Sequence, residues 1–416
     1  MWGKRDLLLV CGGAAVSAFG NSVTIIVLLL HAQRINSLAV SGVLVASMVP
    51  VALGAPLAGL LVDRLRNRRL LVGALLLQGV ALVGIGAGLA HLPVVLGLLV
   101  VQGCGQAVAN PAASSLVPRI VGEDDATRGY SWLATGRTVG LIAGSAGGAL
   151  LIAGVGFRDA LFVDAGTFLV EALLVAFVRA DRDPRGEPRD QASARSDAMA
   201  GLAFVRADRV LLVAVGGMAF AIGCIVLINV ADPFYIVDVL HGDAITFGLL
   251  QSCWVIGVLI GARLVGRVTS ERGLVLALGF GGCVIGLAVC LPAAFPAVAT
   301  TAVGWVFGGS SNGVQGVAQQ GLVRLRTPEP LRGRVFAAAS SLIITANLTG
   351  TVVSAGVVGL LGPRWAFAIG GMGAFLAGAV TLALGATPEK AEARTPCGVR
   401  ASASGLEISR ARPCPP

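Results

Sequence analysis

The chain has 416 residues, of which 56% are hydrophobic and only 13% charged, with a mean hydropathy of +0.85. That balance excludes a soluble domain, whose polar residues could not cover so much apolar material. The net charge of +9 calls for no nucleic-acid partner, because the basic residues fall where a membrane layout needs them.

Twelve apolar stretches follow one another: 7–30, 38–62, 70–90, 93–117, 131–155, 159–178, 210–236, 244–266, 274–295, 297–323, 335–361 and 365–386. A hydrocarbon core of about 30 Å takes roughly 20 residues of helix. Each stretch must be helical, since a lone strand would leave its backbone groups unpaired in lipid. Of the 31 Lys and Arg, 27 fall on one side of this layout, only Arg34, Arg158 and Arg364 on the other, and Arg137 inside a helix. The rich side belongs in the cytoplasm, which predicts a bacterial inner-membrane protein with both termini inside. Lys4 and Arg5 before an apolar run imitate a secretory signal peptide, but the run continues to Leu30 and eleven more stretches follow. The expected organisation is a six-helix half over 1–178, a cytoplasmic linker over 179–209, a second six-helix half over 210–386 and a disordered tail over 387–416.

In chain order, span 1 places Ser17, Asn21 and Thr24 on one helical face. The loop after span 2 reads GLLVDRLRNRR, Gly59 to Arg69. Gly59 would permit close helix contact, Asp63, followed by Arg64, could pair with a base or cap a neighbouring helix, and Arg66, Arg68 and Arg69 would hold the loop at an anionic leaflet. This loop resembles the signature loop of the major facilitator superfamily. With DRLRNRRLL, NPAASSLVPRIV at the end of span 4 and RTPEPLRGRVFA entering span 11, the likeness narrows to the third drug:proton antiporter group. That group includes macrolide efflux proteins and siderophore exporters. The resemblance implies an all-α fold of two pseudo-symmetric halves, with spans 1, 4, 7 and 10 around a central cavity.

Polar stripes do occur on those spans. Span 4 carries Gln102, Gln106 and Asn110, span 7 carries Asn229 and Asp232, and span 10 carries Asn312, Gln315 and Gln319. Such amides serve either as glue between helices or as cavity lining. Span 5 repeats glycine at Gly136, Gly140, Gly144 and Gly148, a packing stripe that resembles the antiporter motif of exporters and would also suit halves that rock on each other. Ser145 stands where that motif usually has proline. Charged groups within the bilayer are expensive, so Arg137, Asp164, Glu171 and Asp232 are coupling candidates. Arg137 and Glu171 lie at similar depth on adjacent antiparallel spans and are expected to pair. Leu99 and Asn21 occupy places where related exporters carry titratable or charged groups.

A shift of 206 residues aligns Gly103 with Gly309, Gly144 with Gly350, Gly156 with Gly362 and Arg158 with Arg364, the mark of an internal duplication. Within the linker, 198–205 reads as a short surface helix. The eight cysteines lack metal-ligand spacing, and neither a nucleotide-binding loop nor a hydrolytic constellation is present. The expectation is a monomeric secondary exporter, not an enzyme, that uses no bound cofactor and draws on the proton motive force. Its partners would be the lipid bilayer and a small amphipathic substrate. A narrow metabolite importer or facilitator, or a non-transporting sensor on the same fold, are the alternatives.

Overall fold

The computed structural model describes residues 2–122, 124–180, 191–266 and 268–385, with side chains left undescribed at 2, 3, 55–57, 63, 191–198, 330 and 385. The predicted tail over 387–416 and most of the linker's first half therefore lie outside the described residues. What is described is helical, without a strand.

The helices are α1 (Trp2–Gln33), α2 (Ser37–Arg64), α3 (Asn67–Ala87), α4 (Leu92–Val121), α5 (Ala126–Ala176), α6 (Gln191–Ala207), α7 (Arg209–Ile225) and α8 (Leu227–Phe234). After a π-helical turn at Tyr235–Val239 come α9 (Ala244–Val265), α10 (Glu271–Ala294), α11 (Val298–Arg326), α12 (Arg332–Leu361) and α13 (Pro363–Gly385). Among the described residues, ten helical stretches are long and apolar enough to cross a membrane. One of these is α5, whose 51 residues would measure about 76 Å as a straight helix, more than twice a hydrocarbon core. Gly156, at φ 83°, breaks it into two limbs. Another stretch joins α7, α8 and the π turn into one crossing. α11 falls short in apolarity because it carries Asn312, Gln315, Gln319 and Gln320 before Arg324 and Arg326. With α5 counted twice and α11 included, the described residues hold twelve membrane-length segments, the number read from the sequence. Several helices overrun the predicted bounds, as α1 does from Trp2 and α5 from Ala126, since a helix need not be apolar where it leaves the lipid.

Local chemistry sets the helix ends. Asn36, Asp208, Asp243 and Ser270 accept first-turn amides of α2, α7, α9 and α10. Gly122 and Gly362, at φ 88° and 85°, end α4 and α12 in a conformation that a side chain would strain.

The first bundle is organised around α1, which both limbs of α5 flank, with α3 on α5 and α2 and α3 on α4. The second repeats the plan: α13 packs on α7 and α10, α11 on α9 and α10, and α12 on α7. Residues related by the 206-residue shift take matching roles. A Cβ on Gly144 would collide with the Phe19 carbonyl of α1, and one on Gly350 with the Gly223 carbonyl of α7. Gly103 packs on α2 at Ser47 and Pro50, as Gly309 packs on α9 at Trp254. Gly156 and Gly362 share the same positive φ, each two residues before an arginine.

The bundles meet through α5 with α9 and α2 with α12. The bonds that join them lie at the arginine-poor end: the Ser37 hydroxyl donates to the Ala355 carbonyl at 2.9 Å and Ser41 to Thr351 at 2.9 Å, while Gln33 donates to Asp238 at 3.1 Å. At the arginine-rich end Arg326 bridges Asp208 at 2.8 Å and also reaches Glu271, all within the second bundle. α6 lies against α12 there, with Gly201 pressed on the Arg334 carbonyl.

Candidate functional site

Each bundle holds its own polar cavity. The first, of about 200 Å³, is lined by Ser17 and Asn21 of α1, Gln78 of α3, Gln106 and Asn110 of α4, Arg137 of the first limb of α5 and Glu171 of the second. The second, of about 280 Å³, gathers Asn229 and Asp232 of α8, Gln251 and Trp254 of α9, Trp305, Asn312 and Gln315 of α11, and Asn347 of α12. Thus eight of the eleven residues assigned to a cavity from sequence line one of these two spaces. Thr24, Gln102 and Gln319 do not. The Thr24 hydroxyl instead donates to Asp164 Oδ2 at 2.5 Å, within the first bundle.

The intramembrane charges differ in their surroundings. Asp164 has no solvent exposure, and besides Thr24 it accepts the Thr167 hydroxyl at 2.9 Å on Oδ1. Gly20 is what lets α1 pass it, because a Cβ there would overlap the carboxylate. Arg137 and Glu171 face the same cavity and feel each other's charge, but they form no direct ion pair within 4.0 Å. The expected pair is therefore not formed, and α1 runs between the two limbs of α5. Cys11 of α1 packs on Gly136 of one limb, and Gly13 on Glu171 of the other. Ser17 of α1 lines the same cavity as Glu171. Asp232, 4% exposed, leaves its Oδ1 without a hydrogen-bond partner.

The glycine stripe is also placed differently from the expectation of contact between halves. Gly136, Gly140 and Gly144 approach the Cys11, Ala15 and Phe19 carbonyls of α1, and Gly148 approaches Val23. Contact with the second bundle comes from the neighbouring face, where Gly248 of α9 sits on the Ser145 carbonyl and Ala149. Four glycines at this spacing make a groove for whichever helix is nearest, and here the nearest is α1.

In the signature loop, Arg64 closes α2, and Arg64, Arg66 and Arg69 border a groove of about 670 Å³ between α3 and α4. Arg68 donates to the carbonyl of Val178, two residues beyond α5, at 2.8 Å. The side chain of Asp63 lies outside the described residues, and Gly59 has no close neighbour among those described, so the close contact expected there is absent. Sequence reading missed Asn67, which is fully buried with its side-chain amide 2.6 Å from the Ser115 hydroxyl. It also missed Gln78 and Gln251, each a solitary amide on an otherwise apolar helix face, Asn347, which shares a polar face of α12 with Ser340, Thr351 and Ser354, and the two cavity tryptophans.

Helices of this number, in two bundles with matched glycines and a polar cavity in each, agree with the comparison to known families. The family model for the Major Facilitator Superfamily matches residues 10–299 and 216–410. The chain belongs to this superfamily. Over 367 residues it is 24% identical to macrolide efflux protein A of Streptococcus pyogenes, covering 85% of this chain and 89% of that protein. It is 22% identical over 400 residues to an uncharacterized MFS-type transporter, YfiS, of Bacillus subtilis strain 168, covering 91% and 93%. Among solved structures, the nucleoside transporter NupG superposes with a TM-score of 0.75 at 10% identity, covering 91% of this chain and 99% of that one. A POT family transporter bound to a thioalcohol-conjugated peptide superposes with 0.71 at 12%, covering 91% and 96%. These superpositions establish the fold. The protein is therefore a multi-pass membrane transporter of the superfamily, and among the described residues no cluster of His, Cys, Asp and Glu could hold a metal.

Proposed function

We propose that this superfamily member is a secondary exporter of small amphipathic organic molecules, driven by proton exchange and working by alternating access. The observation that carries the reading is the pair of amide-lined cavities, one facing Arg137 and Glu171 and the other facing Asp232. Amides and indoles in a mostly apolar setting suit neutral or weakly cationic multi-ring compounds. They suit a phosphorylated sugar poorly, because neither cavity offers the paired basic residues that an anion of that charge requires. The likeness to a macrolide efflux protein over most of both chains supports the export direction.

On this reading the arginine-rich end lies in the cytoplasm. The bonds between bundles then close the outer end, and substrate enters from the cytoplasm or inner leaflet. Both termini are cytoplasmic, the host membrane is the bacterial inner membrane, and the protein acts as a monomer because each bundle supplies the other's interface. Glu171, with Arg137 across the cavity, is the proposed proton carrier of the first bundle.

The test is accumulation of dyes, macrolides and siderophore-like compounds in an efflux-deficient bacterial host expressing the chain, with and without a protonophore. Lower accumulation that the protonophore reverses is the expected result. Unchanged accumulation across the panel, with the protein verified in the membrane, would overturn the export reading in favour of a narrow metabolite carrier.

A further inference from the structure

We infer that the cavity of the second bundle is a recognition site for an organic ammonium group, held between Asp232 and Asn347 beneath the indole of Trp254. This rests on the export reading only in that the ammonium would belong to the transported molecule.

Two buried acceptors open the argument. Asp232 Oδ1 and Asn347 Oδ1 both lack a hydrogen-bond partner, and both residues line the same cavity. Buried oxygens are paired in the great majority of cases, and an unpaired carboxylate in a low-dielectric setting is costly enough that each exception needs an explanation. Acceptors without donors call for a donor, and two on one cavity call for a group with several N–H bonds or a cation. The lining contains no Lys or Arg, so the protein does not supply that charge itself. The first bundle's cavity differs here, since Arg137 would repel a bound cation.

The walls narrow the class. Trp254 and Trp305 meet edge to face at 6.2 Å, and Trp305 stacks on Phe367 at 5.6 Å, which in turn lies 4.6 Å from Tyr235. An indole offers a negative face to a cation and an apolar one to its hydrocarbon. A metal ion would need a fuller shell of oxygens than two orphan acceptors and would gain nothing from tryptophan. An alkyl or aryl ammonium satisfies both acceptors and uses the rest of the wall.

The backbone around Asp232 is also unusual. The crossing tightens after Val226, whose carbonyl accepts the Asn229 N–H at 3.0 Å, has Pro233 directly after the acid, and changes to a π-helical turn at Tyr235–Val239. π turns of this kind gather at functional sites.

The experiment uses full-length protein in detergent and three probes with one aromatic body: 1-naphthylmethylammonium, its neutral N-acetyl derivative and its N,N,N-trimethyl derivative. Direct binding is measured by titration calorimetry. The primary ammonium should bind roughly tenfold or more tightly than the neutral probe, as expected for hydrogen bonds to a charged acceptor. The trimethyl form should fall between them, because it keeps cation–π attraction and loses the N–H donors. Asp232→Asn should remove the preference for charge and Asn347→Leu should reduce it, while Asp238→Asn, outside the cavity, should keep it. Thermal unfolding of each variant identifies any that misfold, and the three-probe ranking in the natural sequence stands without them. Equal binding of charged and neutral probes, no binding of any, or competitive displacement of the ammonium by sodium would each overturn the inference. Efflux of neutral macrolides without an ammonium preference would retain the export reading and reject this site. An ammonium preference without efflux of any compound would do the reverse.

Discussion

In the first bundle Asp164 sits between the hydroxyls of Thr24 and Thr167, and Glu171 shares its cavity with Arg137; in the second, Asp232 lines a cavity of amides and indoles with one oxygen unpaired. Both bundles have the same helix plan and matched glycine contacts, so the difference lies in the side chains each plan carries. A duplicated scaffold thus holds one buried acid, Asp164, that is hydrogen-bonded within the protein and another, Asp232, with an oxygen left unpaired. The lesson is that counting acids in spans does not find function; what each acid touches does.

The most disruptive way to probe the shared plan is to fill its glycine grooves. Gly140→Leu would drive a side chain into the α1 carbonyls, and Gly350→Leu would do the same at α7. Both should cost about 3 kcal/mol or more and remove most monodisperse protein on size exclusion. Loss in one bundle alone would break the proposed equivalence.

Next comes the charge pair of the first cavity. Glu171→Gln should abolish protonophore-sensitive transport while the protein still folds, and Arg137→Lys, which keeps the charge, should retain it. Normal coupled transport by Glu171→Gln would remove Glu171 from the proton path.

The contrast in satisfaction has its own test in stability. Thr24→Val deletes one of the donors to Asp164 and should lower stability by about 1.5–3 kcal/mol, read as a fall in the thermal midpoint. Asp232→Asn alters an acid whose Oδ1 has no hydrogen bond to lose and should leave the midpoint unchanged or raise it. Equal losses in the two variants would mean that Asp232 is held by the protein after all.

The smallest effect belongs to the surface. The Asp243 side chain accepts the Thr246 N–H at 2.9 Å at the start of α9, and that bond holds its carboxyl below the usual carboxylate range. Because the folded value is the lower one, the cap's contribution is full above the unfolded pKa and fades as pH falls through the folded one, below about pH 4. Asp243→Ala should cost about 1 kcal/mol or less at neutral pH and nothing at the acid extreme, measured by the midpoint across pH.

Much of this molecule could be read before its structure. Apolar runs of about 20 residues named the membrane segments, because the bilayer imposes one length on every crossing. The 206-residue shift found Gly156 and Gly362, and their common positive φ is what a turn between two spans needs. Helical spacing also brought Ser17, Asn21, Gln106 and Asn110 to one cavity, and Asn229, Asp232, Asn312 and Gln315 to the other. Periodicity reports which residues share a face, and a polar face in an apolar helix turns toward a polar space.

Tertiary structure decided the rest, for one physical reason: a sequence carries the spacing along each helix but not the identity of the neighbour across it. Nothing in the glycine stripe says that α1, and not the opposite bundle, fills it. Nothing in Thr24 says that its hydroxyl goes to Asp164 and not to the cavity, nor in Arg137 and Glu171 that α1 runs between their helices. The solitary amides Gln78 and Gln251 had no periodic pattern to mark them, and they reached the cavities only because further helices converge there. Whether a buried acid is satisfied is a statement about atoms on other helices, so the unpaired oxygen of Asp232 could be seen only once those helices were in place.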